Sequence, residues 1–280
     1  MSRTVVIAAM HREVEPLVRG WQRRLIGDGA WNFAAFEKND LVVVISGIGR
    51  RHAENAARAA ISKYRPTELI SAGLAGALIR SLKAGSVVTP NVVVDAQDGA
   101  EFRCTLESGG VVGGGVLVSA AGISGVEAKQ KLVEKFHGLV VDMEAAAVAR
   151  AAQEAGIEFR CVKAISDEAD FVMPPLGRFV DAPGNFQSGR FVAWAAVRPW
   201  HWARVIKLGR NTSKAVKALC GWLGSSADLA IGRSGDRKKE TLPGMNADKH
   251  GSASVERAQT RLPVAIGSSG DRESKKPHSG

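Results

Sequence analysis

The sequence predicts an α/β layered domain over residues 1–170, and three observations predict it. Short apolar runs without a helical period, at 4–9, 68–72 and 159–165, read as buried strands. Alanine-rich stretches at 46–63 and 144–154 separate such runs and read as helices. Strands and helices therefore alternate, as layered strand–helix units require. Acids also stand at the ends of separate strands, as Glu13, Glu144 and Asp167. In open α/β sheets, ligands bind outside those carboxyl ends.

Taken in order, 4–9 is a first strand, followed by Met10-His11-Arg12-Glu13 and a helix to about Gly20. Residues 31–36 and 41–46 form a hairpin that turns at Lys38-Asn39-Asp40. Ser46-Gly47-Ile48-Gly49 then opens a helix reaching about Lys63. Strand 68–72 runs into Gly73-Leu74-Ala75-Gly76-Ala77, expected as a flexible loop where backbone can approach a ligand closely. Strands follow at 86–94, 101–106 and 111–120, and a helix at 125–136. The stretch 139–170 reads strand, helix, strand. Alanine on the inner faces of its helix lets it lie close to a sheet, and Gly156 ends the helix.

Residues 171–224 change character and are expected as a helical extension, basic and rich in tryptophan. Helices are expected at 189–197 and from Pro199, at its first position, to about Leu223. Beyond, 225–280 has no hydrophobic period, and AIGRSGDRKKE nearly repeats as AIGSSGDRESKK. A disordered tail without a catalytic role is expected there.

Charge is unevenly placed within a net +10. Residues 1–170 balance 20 Lys/Arg against 20 Asp/Glu, whereas 171–222 hold 8 basic residues and 1 acidic. The neutral part that carries the acids argues against a nucleic-acid groove. Cys104, Cys161 and Cys220 fit no disulfide or metal spacing, so a reduced, cytoplasmic setting is expected. The first residues are too short an apolar run for a signal peptide, and no stretch reaches the roughly 18 apolar residues of a membrane span.

Most short motifs carry little. SGIG at 46–49 is not GxGxxG and lacks the Lys-Ser/Thr of a P-loop, so it reads first as a turn that needs glycine. There is no Gly-x-Ser-x-Gly and no His-Glu-x-x-His. A single acid at a strand end is usually structural, often a helix cap. Three of them beside the 73–77 segment point to an active site.

The segments VVIAAMHREVEPL, VVVISGIGRRHAENAA, LISAGLAGAL with LKAGSVV, and VVDMEAAAVARAAQEAGIEFRCVKAISDEAD resemble, in this order, the nucleoside phosphorylase/nucleosidase superfamily. The nearest branch is 5′-methylthioadenosine/S-adenosylhomocysteine nucleosidase, and the likeness covers about residues 4–170. It implies one three-layer α/β domain with a mixed, barrel-like central sheet surrounded by helices, the phosphorylase/hydrolase-like fold. It further implies hydrolysis of the N-glycosidic bond of a 5′-modified adenine nucleoside. Glu13 would activate water and Asp167 would serve the purine N7. Glu144 would hold the ribose with Met143 packed on the sugar, and Ser166 would orient Asp167. Leu74, Ala75, Gly76 and Ile123 complete the implied substrate contacts. No metal or organic cofactor is indicated, and a homodimer is the expected assembly.

That chemistry builds positive charge on the sugar, and the base leaves easily only when a ring nitrogen is protonated. An ordinary aspartate, pKa about 3.9, is protonated in roughly one molecule per thousand at pH 7. Burial or a proton relay must therefore make Asp167 competent as an acid. A phosphorylase would need arginines around phosphate. The one that relatives place just before the glycine-rich loop is replaced here by Ala72, which favours hydrolysis, with Arg50 and Arg51 as the residues that argue the other way. A nucleoside-binding protein would keep Glu144 but would not need Glu13 and Asp167 together.

Two departures from the branch stand out. The loop 119–124 lacks the aromatic residue that stacks on adenine, leaving Ile123 and backbone groups. The segment from 171 looks more like the hopanoid-associated branch, whose members remove adenine from adenosylhopane. Trp200 and Trp202 interleaved with Arg198, Arg204, Lys207 and Arg210 suit an anionic membrane surface, so peripheral contact with the inner membrane through 190–222 is one expectation. The other is a helix that packs its Trp residues, Val205, Ile206 and Leu219 on the core.

Overall fold

A computed structural model describes residues 3–27, 29–105, 112–122, 125–182 and 184–236. The strands are β1 (Thr4–Ala8), β2 (Gln22–Gly27), β3 (Asn32–Lys38), β4 (Leu41–Ile45), β5 (Glu68–Ala77), β6 (Val87–Thr89), β7 (Val92–Asp95), β8 (Glu101–Arg103), β9 (Val112–Gly113), β10 (Val116–Ser119), β11 (Val140–Asp142) and β12 (Glu158–Asp167). The helices are α1 (His11–Val18), α2 (Arg50–Tyr64), α3 (Val126–Phe136), α4 (Ala145–Glu154), α5 (Ser188–Ala196) and α6 (Trp202–Asp236).

All twelve strands join one mixed sheet, ordered β2-β3-β4-β1-β5-β11-β10-β7-β8. It branches at β5, whose other edge carries β12, then β6 and β9. β5 is the hub. Its first half pairs with β1 in parallel, its end pairs with β11 antiparallel, and β12 runs along it from Glu68 to Gly76. The branch lets the sheet wrap, so that one strand supports neighbours on both sides and at both ends.

Helices cover the sheet because its strands are apolar on both faces. The seven buried residues of α4, Ala145–Ala149 with Ala151 and Ala152, pack against α2's Ala53, Ala56, Ala57 and Ala60 in the larger core cluster. A second cluster joins Val14 and Val18 of α1 to Val43, Ile70 and Val162 of the sheet and to Ala215, Leu219 and Leu223 of α6.

Several expectations change in the structure. The 73–77 segment is not a loop but the second half of β5, because β12 and β11 saturate its backbone. The 86–94 run divides at Pro90, which cannot donate to a ladder, into β6 and β7. β2 was not expected: in QRRLIG only Ile26 is buried, so this edge strand carries no hydrophobic period. α6 continues to Asp236, past the expected start of the tail at 225.

Packing on the core, the second expectation for the extension, holds for the later half of α6 only. Leu219 is buried and Trp222 half-buried on the core, but Trp202 and Ile206 are half exposed, at 50% and 52%. The tail expected from 225 lies, from 237 on, outside the described residues. No helix among those described is long and apolar enough to cross a membrane.

Candidate active site

Two groups of charged side chains sit where β1, β4, β5, β11 and β12 end. The first is organised by Lys163, a lysine between Val162 and Ala164 of β12 and only 2% exposed. Its Nζ lies 2.8 Å from Asp142 Oδ2 and donates to Ser71 Oγ at 3.0 Å. Asp142 is itself buried. It accepts Ser119 Oγ at 2.6 Å and the Ala145 N–H at 2.9 Å, which caps the start of α4. Burial alone would push Lys163 down, but Asp142 chiefly outweighs it and holds the ammonium above the usual lysine range.

Glu13 and Glu144 face this lysine's field. Glu13 is the third residue of α1, and its Oε2 accepts the Met10 N–H at 3.3 Å, so it helps close the helix start. The side chain is nevertheless 2% exposed, and burial pushes its carboxyl up to about 7 against the pull of Lys163. Glu144 is half-buried, and its Oε1 accepts the Gly49 N–H at 2.8 Å, at the N-terminus of α2. Its carboxyl is also pushed up to about 7, by burial first and then by Asp142. Gly73 of β5 makes room here, since a Cβ at that position would meet Glu13 Oε2 at 3.2 Å.

The second group is built on Asp167. β12 pairs Ile165 with Ala75 and then Asp167 with Gly76, so Ser166 is the extra residue of a β-bulge. A one-residue slip reverses the side-chain alternation, and bulges re-aim side chains in this way beside functional sites. Asp167 is thereby turned off the face used by Lys163 and Ile165. Its Oδ1 accepts the Ser166 hydroxyl at 2.8 Å, and its Oδ2 lies 2.5 Å from Lys129 Nζ of α3. Gly76 stands against this pair: a Cβ there would meet Asp167 Oδ2 at 2.8 Å and Lys129 Nζ at 3.2 Å.

The other sequence-derived positions divide. Met143 is half-buried beside Glu144. Leu74 is half-buried and packs against the second core cluster; Ala75 belongs to the first, and its carbonyl takes the Ser166 hydroxyl at 3.3 Å. Ile123 lies outside the described residues. Sequence reasoning missed Lys163 and Lys129, although both left a signal. One interrupts the apolar run 159–165; the other shares the helical face of Val126, Leu132, Val133 and Phe136.

The profile of the phosphorylase superfamily matches residues 3–111 and 106–180. The chain belongs to the phosphorylase superfamily. Among curated proteins it is 23% identical over 201 residues to aminodeoxyfutalosine nucleosidase of Helicobacter pylori (strain J99), covering 61% of this chain and 87% of that one. It is 26% identical over 164 residues to 5′-methylthioadenosine/S-adenosylhomocysteine nucleosidase of Staphylococcus aureus (strain Newman), covering 47% and 70%. Among solved structures, futalosine hydrolase of H. pylori strain 26695 superposes with a TM-score of 0.61 at 20% identity, covering 81% of this chain and 98% of that one. A mutant of the H. pylori methylthioadenosine nucleosidase with 5′-methylthioadenosine in its active site gives 0.61 at 19%, covering 82% and 99%. At these identities the superpositions establish the fold.

Two surroundings bear on what this superfamily member's site admits. The segment after β12 returns over the SGIG turn: Ile48 N–H donates to Gly184 O at 2.8 Å, and the Arg12 guanidinium lies 4.9 Å from the Phe186 ring centre. Beside that turn opens a cleft of about 600 Å³ lined by Trp31, Phe33, Ser46, Gly47, His52 and Asn185. None of the three acids lines it, so the charged groups rather than this cleft mark the candidate reaction centre.

Proposed function

We propose that the chain hydrolyses the N-glycosidic bond of a 5′-modified adenine nucleoside, of the methylthioadenosine or S-adenosylhomocysteine type, and releases adenine. The observation that carries the reading is Glu13. A buried carboxyl held near pH 7 is matched to drawing a proton from water at neutral pH. Glu144, in the same lysine's field, would accept ribose hydroxyls. Asp167 stands further along the sheet edge. Gly73 and Gly76, which accommodate the two groups, are three residues apart on β5, about 10 Å of strand. In this reading C1′ lies towards Glu13 and the purine towards Asp167.

Hydrolysis is favoured over phosphorolysis by what the arginines already hold. Arg50 lies 2.7 Å from Asp95 and 3.7 Å from Asp98, and the Arg51 guanidinium lies over the Trp31 ring at 5.2 Å. Arg50 therefore presents no unoccupied fork to a phosphate. The test is adenine release from 5′-methylthioadenosine with and without phosphate, followed by chromatography. Adenine and free methylthioribose in both buffers are expected. Turnover only with phosphate, giving a sugar 1-phosphate, would overturn hydrolysis. Sedimentation of the purified chain tests the homodimer that belongs to this reading.

One observation favours a second reading, a lipid-linked adenine nucleoside such as adenosylhopane. Val192, Val197, Trp200, Trp202 and Ile206 are all at least half exposed, among Arg190, Arg204, Lys207 and Arg210. An apolar surface set in basic residues suits an anionic lipid interface. Flotation with anionic liposomes at low salt, together with release of adenine from adenosylhopane in detergent, is expected if this substrate is the right one. Protein that stays wholly unbound overturns it.

A further inference from the structure

Lys129 is the one fully buried side chain of α3, and it is a lysine. The residue is 2% exposed, and its ammonium makes two contacts, to Asp167 Oδ2 at 2.5 Å and to the Glu168 carbonyl at 2.9 Å. Glu168's own carboxylate is turned to Lys207 of α6, at 3.4 Å, so Lys129's charge is answered by Asp167. Such a buried pair is a poor stabiliser compared with apolar side chains of the same volume, because both ions lose their water. Its placement against the acid expected to serve the purine, with a glycine clearing the space, calls for a chemical role.

Both oxygens of Asp167 are engaged by donors: Oδ1 by the Ser166 hydroxyl and Oδ2 by the Lys129 ammonium. A proton that Asp167 passes to a purine must come from one of these or from water. Of the two side chains, the ammonium is much the stronger acid. We propose that Lys129 is a positioning and proton-supplying residue for the leaving purine, acting through Asp167. This rests on the nucleosidase reading above and adds the origin of the proton to it.

The step balances. The C1′–N9 bond breaks and its electron pair goes to the base. N7 takes a proton from Asp167 as the aspartate takes one from the Lys129 ammonium, leaving a neutral amine. Water adds to C1′ and gives a proton to Glu13. Release of that proton to solvent and uptake of one by Lys129 restore the starting state. Lys129 also fixes the carboxylate plane from the side opposite Ser166, so that Asp167 presents the same edge in every turnover.

The experiment compares two substrates with different leaving groups. 5′-Methylthioadenosine needs a proton on its base; the 4-nitrophenyl glycoside of 5-methylthioribose expels a stable phenolate and needs none. Lys129→Met is expected to slow kcat for the first by about 100-fold or more, with KM little changed, and for the second by no more than about threefold. Equal losses on both substrates, or no loss on either, would overturn the proposal.

Because Lys129→Met leaves Asp167 buried without a counter-charge, the double variant Lys129→Met/Asp167→Asn, which removes both charges, is measured beside Asp167→Asn. Equal rates for these two variants support action through Asp167, and a further loss of about tenfold or more overturns it. The unmodified chain is assayed alongside. No adenine from it would sink the nucleosidase reading and the proposal together. Normal turnover by both it and Lys129→Met would sink the proposal alone.

Discussion

Lys163 and Lys129 are both lysines that the fold has taken out of water and set against an aspartate, yet their surroundings differ. Lys163 is in the middle of a sheet, with Asp142 at 2.8 Å and Ser71 at 3.0 Å, and Asp142 is tied in turn to Ser119 and the start of α4. That pair is locked from several elements and acts by its field: Lys163 pulls down both glutamates that burial raises, while Asp142 pushes Glu144 further up. Lys129 comes from a helix whose other side chains are at most half-buried, and it touches an aspartate placed by a bulge at a strand end. One pair is framework that sets the charge of its neighbours. The other has the arrangement of a working part.

The largest test of this contrast is to remove the carboxyls each lysine serves. Asp167→Asn and Glu13→Gln are each expected to lower kcat for 5′-methylthioadenosine by about 10²–10⁴-fold, read by adenine release. An unchanged rate in either would remove that residue from the reaction. Lys163→Met should act on stability instead. Stranding buried Asp142 is expected to cost about 3–5 kcal/mol in urea unfolding, and Lys163→Met/Asp142→Asn should recover part of it. A Lys163→Met protein as stable as the parent would show that the pair is not framework.

The pH dependence sharpens the same comparison. If Glu13 is the base, kcat/KM falls about tenfold per pH unit below about 7 and levels off above it. Stability moves the other way. Glu13's folded pKa of about 7 exceeds its ordinary 4.5, so the folded state binds the extra proton. That contribution is complete below about 4.5 and is lost as pH rises through about 7. Glu13→Gln should flatten this portion of a melting-temperature profile, and an unaltered profile would contradict the burial of an ionisable group there. The smallest effect belongs to Ser166→Ala. Losing one neutral-donor hydrogen bond to Asp167 is worth about 1 kcal/mol, roughly fivefold in kcat. A loss as large as that of Asp167→Asn would move the essential donor from Lys129 to Ser166.

Much of the frame was legible from residue pattern. The runs at 4–9, 41–46 and 159–165 became β1, β4 and β12, and the alanine-rich stretches became α2 and α4, because apolar period and side-chain size act locally. β2 was not legible, since an exposed edge strand needs no apolar alternation. Nor was the strand character of 73–77: glycine and alanine there look like loop until β11 and β12 supply partners for the backbone.

Residue pattern alone settles the order of most elements and which acids stand near strand ends, since both depend on periodicity and position along the chain. How those acids are charged and aimed is settled only by the packed chain. Glu13 near pH 7 is a consequence of burial beside Lys163, residues 150 positions apart brought together across β5. The turn of Asp167 towards Lys129 depends on a one-residue slip between β12 and β5. Desolvation, field and register belong to neighbours in space, and no local reading of the chain contains them.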